Sequence, residues 1–351
     1  MAISIIPISK MHYEAFYRLA QRTRWGNLML PVTYSSSLWG MVVLKIDKQS
    51  NVSNNMRGEV IGGWVGTLRG NGRLMHLVAK SVYFDAYPCF VSAEIEKQYL
   101  PQFLDTVKQY ARTEGIIMLR LTHWVRGKQL SMDESTREAT FLIPLHSTYD
   151  NLWKMVDSKQ RNCVRKGEKS GVVVEIFHGE NSMRYLSDFQ HLRKVTQQHA
   201  MHNHAQASML LKSDAFFADK FLDPKATLFV GSLEKQIVAV ALMIQAGGTV
   251  YYYSGGSDYE LNRKCCCSSY VLWKAICYYN DNGADYFDMG GVPVSPESTH
   301  PAYGVYMFKR SFGGIYDEFE GGTIVINQTK YKTLKFLLSQ RKILRFFSSK
   351  M

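Results

Sequence analysis

The sequence predicts an α/β (α+β) fold made of two tandem units, each a mixed, largely antiparallel twisted sheet flanked by helices. Three observations carry this. The chain has 351 residues, long for one core, and at 46% apolar and 21% charged it can bury a substantial interior. Short β-branched and aromatic runs alternate with longer stretches of helical spacing. The order strand, Gly-rich hairpin, strand, loop, helix, Gly, strand occurs first over Val60–Leu121 and again in the second half, at an offset of roughly 175 residues. Such an offset is too large for a solenoid and suits a duplicated domain.

Met11 to Arg22 has helical spacing and stops at Trp25-Gly26-Asn27. Met41–Ile46, Val60–Leu68 and Leu74–Tyr83 read as strands, the last two joined by the turn residues Gly70-Asn71-Gly72. A helix over Glu94–Glu114 ends at Gly115, and strands follow at Ile116–Thr122 and Ala139–Pro144. A helix over Thr148–Lys169 is stopped by Gly171, then come the strand Val172–Phe177 and a helix over Asn181–His199. Thr227–Ser232, Ile237–Gln245 and Thr249–Ser254 are strands, with Gly247-Gly248 turning the last pair. A helix over Ser268–Asn282 ends at Gly283 before the strand Tyr286–Met289. The expected divisions are 1–147, 148–328 and a basic amphipathic helix over 329–351.

The net charge of +12 implies an anionic partner, whether nucleic acid, nucleotide-sugar phosphates or a membrane surface. Of six cysteines, three are consecutive (Cys265, Cys266, Cys267), which does not fit a secreted disulfide framework, and no C-x-x-C pair suggests zinc. Met1 to Lys10 lacks a basic start and a small-residue cleavage site, and no apolar stretch reaches the ~18 residues of a spanning helix. The expectation is a reduced, cytoplasmic protein.

Three segments are more specific. Tyr251-Tyr252-Tyr253-Ser254-Gly255-Gly256-Ser257 runs a strand into a small-residue loop before the helix with Leu272-Trp273. Gly283-Ala284-Asp285-Tyr286-Phe287-Asp288-Met289-Gly290-Gly291 has the form G-x-x-x-x-D-x-G-G. Gly304-Val305-Tyr306-Met307-Phe308-Lys309-Arg310-Ser311-Phe312-Gly313-Gly314 resembles G-x-x-x-F-K-x-x-F-G-G. In this order they resemble the Fem family (FemAB and FemX types) of peptidoglycan branch-forming aminoacyltransferases, whose two units are GNAT-like. The basic stretch Asp157–Gly167 is similar to the helix that starts the second unit in those enzymes. The resemblance covers the C-terminal half well and the N-terminal half poorly.

The resemblance implies amide-bond formation, with an aminoacyl group passing from aminoacyl-tRNA to the peptide amine of a nucleotide- or lipid-linked cell-wall precursor; no cofactor is required. Relatives that use acyl-CoA make a second reading: an N-acyltransferase acting on a surface-polysaccharide sugar or lipid amine. Attack on the acyl carbonyl passes through a tetrahedral oxyanion, which needs fixed positive charge or N–H donors. The resemblance puts Lys309, held by Phe308 and Phe312, at that carbonyl or at the tRNA end; the bland reading is a surface lysine on a bulge. Asp288 is either the base for the amine or, as an aspartate before glycines, a turn residue. No nucleophile is needed, so transfer is expected to be direct.

Arg161, Arg165 and Lys166 share a helical face suited to diphosphate oxygens or to solvent. Tyr253 and Tyr303 join them as expected acceptor contacts. Arg263, Lys264 and Arg310 are the expected donor-side cations, although Asn262–Ser269 lacks the Q-x-x-G-x-G/A loop of CoA-binding relatives. His199, His202 and His204 have no completing carboxylate or cysteine and read as a substrate-lining loop, not a metal site. The last segment, with Lys335, Lys342 and Arg345 among Leu337, Ile343 and Phe346, suits packing on the first unit or an anionic membrane at its inner face.

Overall fold

The computed structural model describes residues 2–25, 28, 30–46, 58–70, 80–125, 128, 130–202 and 214–337. They form two compact units, residues 1–136 with 319–351, and 137–318.

In the first unit, β1 (Ala2–Pro7), β2 (Leu38–Ile46), β3 (Glu59–Arg69) and β4 (Ser81–Phe84) lie side by side in chain order and antiparallel. The short β5 (Cys89–Phe90) pairs with β3. α2 (Ala93–Thr113) then carries the chain across to β6 (Met118–Val125), which runs parallel to β4. Ser92 caps α2 by accepting from the Ile95 N–H, and Gly115 ends it in the left-handed region at φ 68°. The apolar face of α2, with Phe103, Val107 and Ala111, packs on Val82, Phe84 and Leu119. α1 (Lys10–Ala20) buries Tyr13, Phe16 and Tyr17 against Val42, Leu44 and Val65.

The second unit repeats the plan. β8 (Val173–Phe177), β9 (Ala226–Leu233), β10 (Gln236–Ala246) and β11 (Thr249–Ser257) are antiparallel in chain order. α8 (Tyr259–Cys265) and α9 (Cys267–Asp281) lead across to β12 (Tyr286–Asp288), parallel to β11. The core joins Val271, Leu272, Ala275 and Ile276 of α9 to Phe229, Ala241, Met243 and Phe287.

Each unit is finished by a strand from elsewhere in the chain. Residues 142–144 of β7 (Glu134–Pro144) pair antiparallel with β12, and residues 319–325 of β13 (Ile315–Val325) pair antiparallel with β6. The divisions therefore fall at 136/137 and 318/319, not at the expected 147/148 and 328/329. The helix over 328–337 (α11) belongs to the first unit, where Tyr331 and Leu334 pack on Ile117 and Met118. Tyr331 and Lys335 both donate to Glu134, at 2.7 and 2.6 Å. This is the packing expectation for the C-terminal segment; residues 338–351 lie outside the described range.

Other boundaries moved for local reasons. The helix expected over Thr148–Lys169 is two, α3 (Tyr149–Met155) and α4 (Ser158–Lys169), because the buried β-branched Val156 is extended at φ −72°, ψ 133°. The single helix expected over Asn181–His199 is α5 (Glu180–Met183) and α6 (Leu186–His202), and α7 (Asp214–Phe221) follows. Of the strand expected over Leu74–Tyr83, residues 74–79 lie outside the described range, as do Asn71 and Gly72 of the turn before it.

Candidate functional site

The site of the second unit is built where two parallel strands part. β11 and β12 stay in register for three pairs, Thr249 with Tyr286, Val250 with Phe287 and Tyr251 with Asp288. Beyond Asp288 the chain turns away at Gly290, φ 78°, while β11 continues to Ser257. A bulge helps this parting: Leu242 faces Ser254 and Met243 faces Tyr252, leaving Tyr253 as the extra residue. Tyr251 and Tyr253 share a face, their rings edge-on at 6.5 Å.

Lys309 reaches this opening from α10 (Tyr303–Arg310), a helix and not the bulge of the alternative reading. Its Nζ donates to the Gly291 carbonyl at 3.1 Å and lies 5.8 Å from the Tyr252 ring centroid. The residue is half-buried. Burial lowers its pKa to about 8, against the opposing pull of the negative charges on Asp288 and Glu138. At neutral pH it remains an ammonium whose proton is more acidic than an ordinary lysine's.

The Phe-Gly-Gly signature is what lets α10 sit here. Phe312 is buried and meets Phe308 edge-on at 5.4 Å. Gly313, at φ 85°, passes over the end of α3 so closely that a Cβ would come within 2.5 Å of the Met155 carbonyl oxygen. Phe308 packs against the core and thereby positions Lys309.

Asp288 is fully buried, and one oxygen accepts from Thr140 Oγ1 at 2.5 Å and from the Gly290 N–H at 2.9 Å. This is the turn-holding geometry, fixing the Gly290-Gly291 corner beneath Lys309. Asp288→Asn, which weakens charge-assisted bonds without deleting atoms, is expected to lower unfolding free energy by about 1–3 kcal/mol. Chemical denaturation measures this, and an unchanged midpoint would remove the turn-holding role.

The remaining expected cations do not converge on Lys309's opening in one cluster. Arg161 is spent locally, donating to the carbonyls of Val156 at 2.7 Å and Trp153 at 3.3 Å, where it closes the end of α3. Arg165 is exposed, bonded to Asn162 Oδ1 at 3.2 Å and 5.3 Å from the Trp153 ring centroid; Lys166 is exposed beside it. Arg263 and Lys264 stand exposed on α8, Arg263 5.8 Å from the Tyr259 ring centroid. Arg310 is exposed at the end of α10, and Tyr303 is half-buried against Tyr306. His199 stacks on Tyr259 at 3.6 Å; the side chain of His202 and all of His204 lie outside the described residues.

The three consecutive cysteines are a helix junction. Cys266 is left-handed at φ 55° between α8 and α9, while Cys265 and Cys267 are buried. Asn262 Oδ1 accepts from the Ser268 N–H at 2.9 Å and so caps α9. Burial pushes the Cys266 thiol up to about 11 and Cys267 higher still, so neither is a thiolate near neutral pH. Among the described residues no group of three His, Cys, Asp or Glu side chains could hold a metal ion, and no helix is long and apolar enough to cross a membrane.

Two charged side chains here carry no sequence signal. Arg193 of α6 is only 4% exposed; it donates to Ser254 Oγ at 2.7 Å and Gln190 Oε1 at 3.2 Å, and lies 4.2 Å from the Phe217 ring centroid. Burial lowers its pKa. It ties α6 to the end of β11, where a Cβ on Gly256 would strike the α6 backbone at Leu192, 2.5 Å away. Thus Ser254-Gly255-Gly256 is strand accommodating a helix, not the loop expected. The second is Glu138 of β7, near Gly291.

Residues 202–339 match the FemAB family. No curated protein sequence matches the chain. Among solved structures, FemX superposes with a TM-score of 0.67 at 17% identity, over 94% of this chain and 99% of that one. The C-terminal DUF2156 domain of a putative lysylphosphatidylglycerol synthetase from Agrobacterium fabrum gives 0.55 at 13%, over 93% and 95%. A conserved protein of unknown function from Bacteroides thetaiotaomicron gives 0.53 at 11%, over 91% and 99%. The FemAB match spans β9 to β13, and over its whole length the chain shares the fold of FemX.

Proposed function

We propose that this chain is an acyltransferase that forms an amide bond by direct transfer, passing an aminoacyl group from aminoacyl-tRNA to the peptide amine of a nucleotide- or lipid-linked cell-wall precursor. The observation that carries this reading is the ammonium of Lys309, held on the Gly291 carbonyl at the parting of β11 and β12. An acyl carbonyl laid in that opening would develop its oxyanion beside a fixed positive charge. The incoming amine attacks the carbonyl carbon, the oxyanion forms, and collapse expels the ribose oxygen. The protonated thiols of Cys266 and Cys267 agree with transfer that uses no acyl-enzyme.

The family match favours the aminoacyl donor. The net charge of +12 suits tRNA, a diphosphate-bearing acceptor and peripheral contact with an anionic membrane from the cytoplasmic side. The test is transfer of a radiolabelled amino acid from charged tRNA to a precursor peptide. No transfer with any aminoacyl-tRNA, together with a thermal shift on adding acyl-CoA, would move the assignment to an acyl-CoA-dependent N-acyltransferase of a sugar or lipid amine. The exposed Arg263 and Lys264 just ahead of the α9 N-terminus are what that second donor would use.

A further inference from the structure

Glu138 occupies a place at this site for which the reading above gives no role. The backbone of β7 fixes it there: Ala139 exchanges both hydrogen bonds with Val292, at 2.9 and 2.7 Å. Thr140, two residues on and so on the same strand face as Glu138, donates to Asp288 under the Gly290-Gly291 corner. Glu138 is thereby directed at that corner from the open side. Its Oε2 lies 3.2 Å from where a Cβ on Gly291 would stand, and Gly291 is the residue whose carbonyl receives Lys309. Arg137, on the opposite face, pairs with Glu318.

The charge of Glu138 acts on the Lys309 ammonium from α10 and on the Tyr251 hydroxyl from β11, as does that of Asp288. Asp288 is fully buried and bonded to Thr140 and Gly290, whereas Glu138 is exposed. Of the two carboxylates that act on Lys309, Glu138 is the one an incoming substrate can meet.

Building on the acyl-transfer reading, we propose that Glu138 is the general base of the reaction, receiving the acceptor as an ammonium and taking its proton, which makes the acceptor a primary amine and not a hydroxyl. Amines of peptides and sugars are largely protonated near neutral pH, so a carboxylate beside the acyl site attracts them in the form in which they arrive. One proton passes from the ammonium to the Glu138 carboxylate and on to solvent. The freed lone pair forms the C–N bond while the carbonyl π pair moves to the oxygen facing Lys309. As the ester C–O bond breaks, the second nitrogen proton passes to the leaving ribose oxygen. Lys309 and Glu138 thus divide the charges of the step, the cation at the oxyanion and the anion at the amine.

The test compares wild type, Glu138→Gln and Glu138→Asp in the transfer assay with charged tRNA and a precursor peptide. Glu138→Gln is expected to lower kcat by about a hundredfold, in the range of general-base contributions, and to raise the acceptor KM. Relative to wild type at the same pH, its rate should recover as pH rises and the acceptor deprotonates itself, while Glu138→Asp keeps an intermediate rate. The melting temperature should be unchanged, since the side chain is exposed. An active wild type with a Gln variant that keeps wild-type kcat and acceptor KM would overturn the Glu138 assignment alone. So would a loss relative to wild type that stays the same as pH rises, or transfer to a hydroxyl acceptor as efficient as to an amine. A wild type that transfers no acyl group from any donor would defeat the acyl-transfer reading itself, and this inference with it.

Discussion

Lys309→Ala is expected to lower kcat for acyl transfer by about a hundredfold or more, the usual loss on removing one preorganised oxyanion donor. The argument rests on where the ammonium is held. Its bond to the Gly291 carbonyl and the corner fixed by Asp288 set its position before substrate arrives, so little reorganisation is needed as charge develops. The same lysine predicts the alkaline limb of the pH profile. Burial has brought its pKa to about 8, so the donor is charged below that value and is lost as pH rises through it. Lys309→Arg, charged at all accessible pH, should flatten that limb even if its fork fits the site poorly.

Stability moves with the opposite sign. Between about 8 and the ordinary lysine value of 10.5, the folded protein binds fewer protons here than the unfolded chain, so this group's contribution to stability rises with pH over that window. Below it, the cost of holding a buried charge is present in full. Lys309→Met is therefore expected to melt no lower than wild type at pH 7 while losing activity, which separates a catalytic loss from unfolding. A variant that keeps wild-type turnover would remove Lys309 from the chemistry.

Much of this site was legible because its parts are local in sequence. The strand–hairpin–strand run from Thr227 to Ser254, the helix ending at Gly283 and the Phe308–Gly314 segment each declare themselves through spacing and turn residues, and they appear as β9 to β11, α9 and the end of α10. What was not legible depends on distant pairing. β7 is a plausible strand in sequence, but nothing near Ala139 says that it will pair with β12 some 145 residues later and carry Glu138 to Gly291. Nor does Glu180–His202 announce that Arg193 will be buried under Phe217 and bonded to Ser254. Arg161 shows the converse. Its spacing suited an anion, but the break at Val156 left two carbonyls of α3 within its reach, and they took it.

Gly290→Ala places a methyl group directly at the corner beneath Lys309. The residue is left-handed at φ 78°, a conformation that costs a side chain about 1–2 kcal/mol. The added Cβ would also lie 2.9 Å from the Tyr252 carbonyl oxygen and 3.2 Å from Lys309 Nζ, so either β11 or the ammonium must move. A displacement of about 1 Å at a reacting centre can cost a hundredfold in rate, and that is the loss expected in kcat. Gly283→Ala supplies the control. Gly283 has nearly the same backbone, φ 75°, yet nothing lies within 4 Å of its Cβ position. Both variants should lose stability through backbone strain, Gly290→Ala the more by its contact with Tyr252, read as a shift in the denaturation midpoint, while only Gly290→Ala loses the reaction. If both keep wild-type turnover, the corner beneath Lys309 is not where the acyl group reacts. If both lose it equally, the defect is in folding and not in the contact between Gly290, Tyr252 and Lys309.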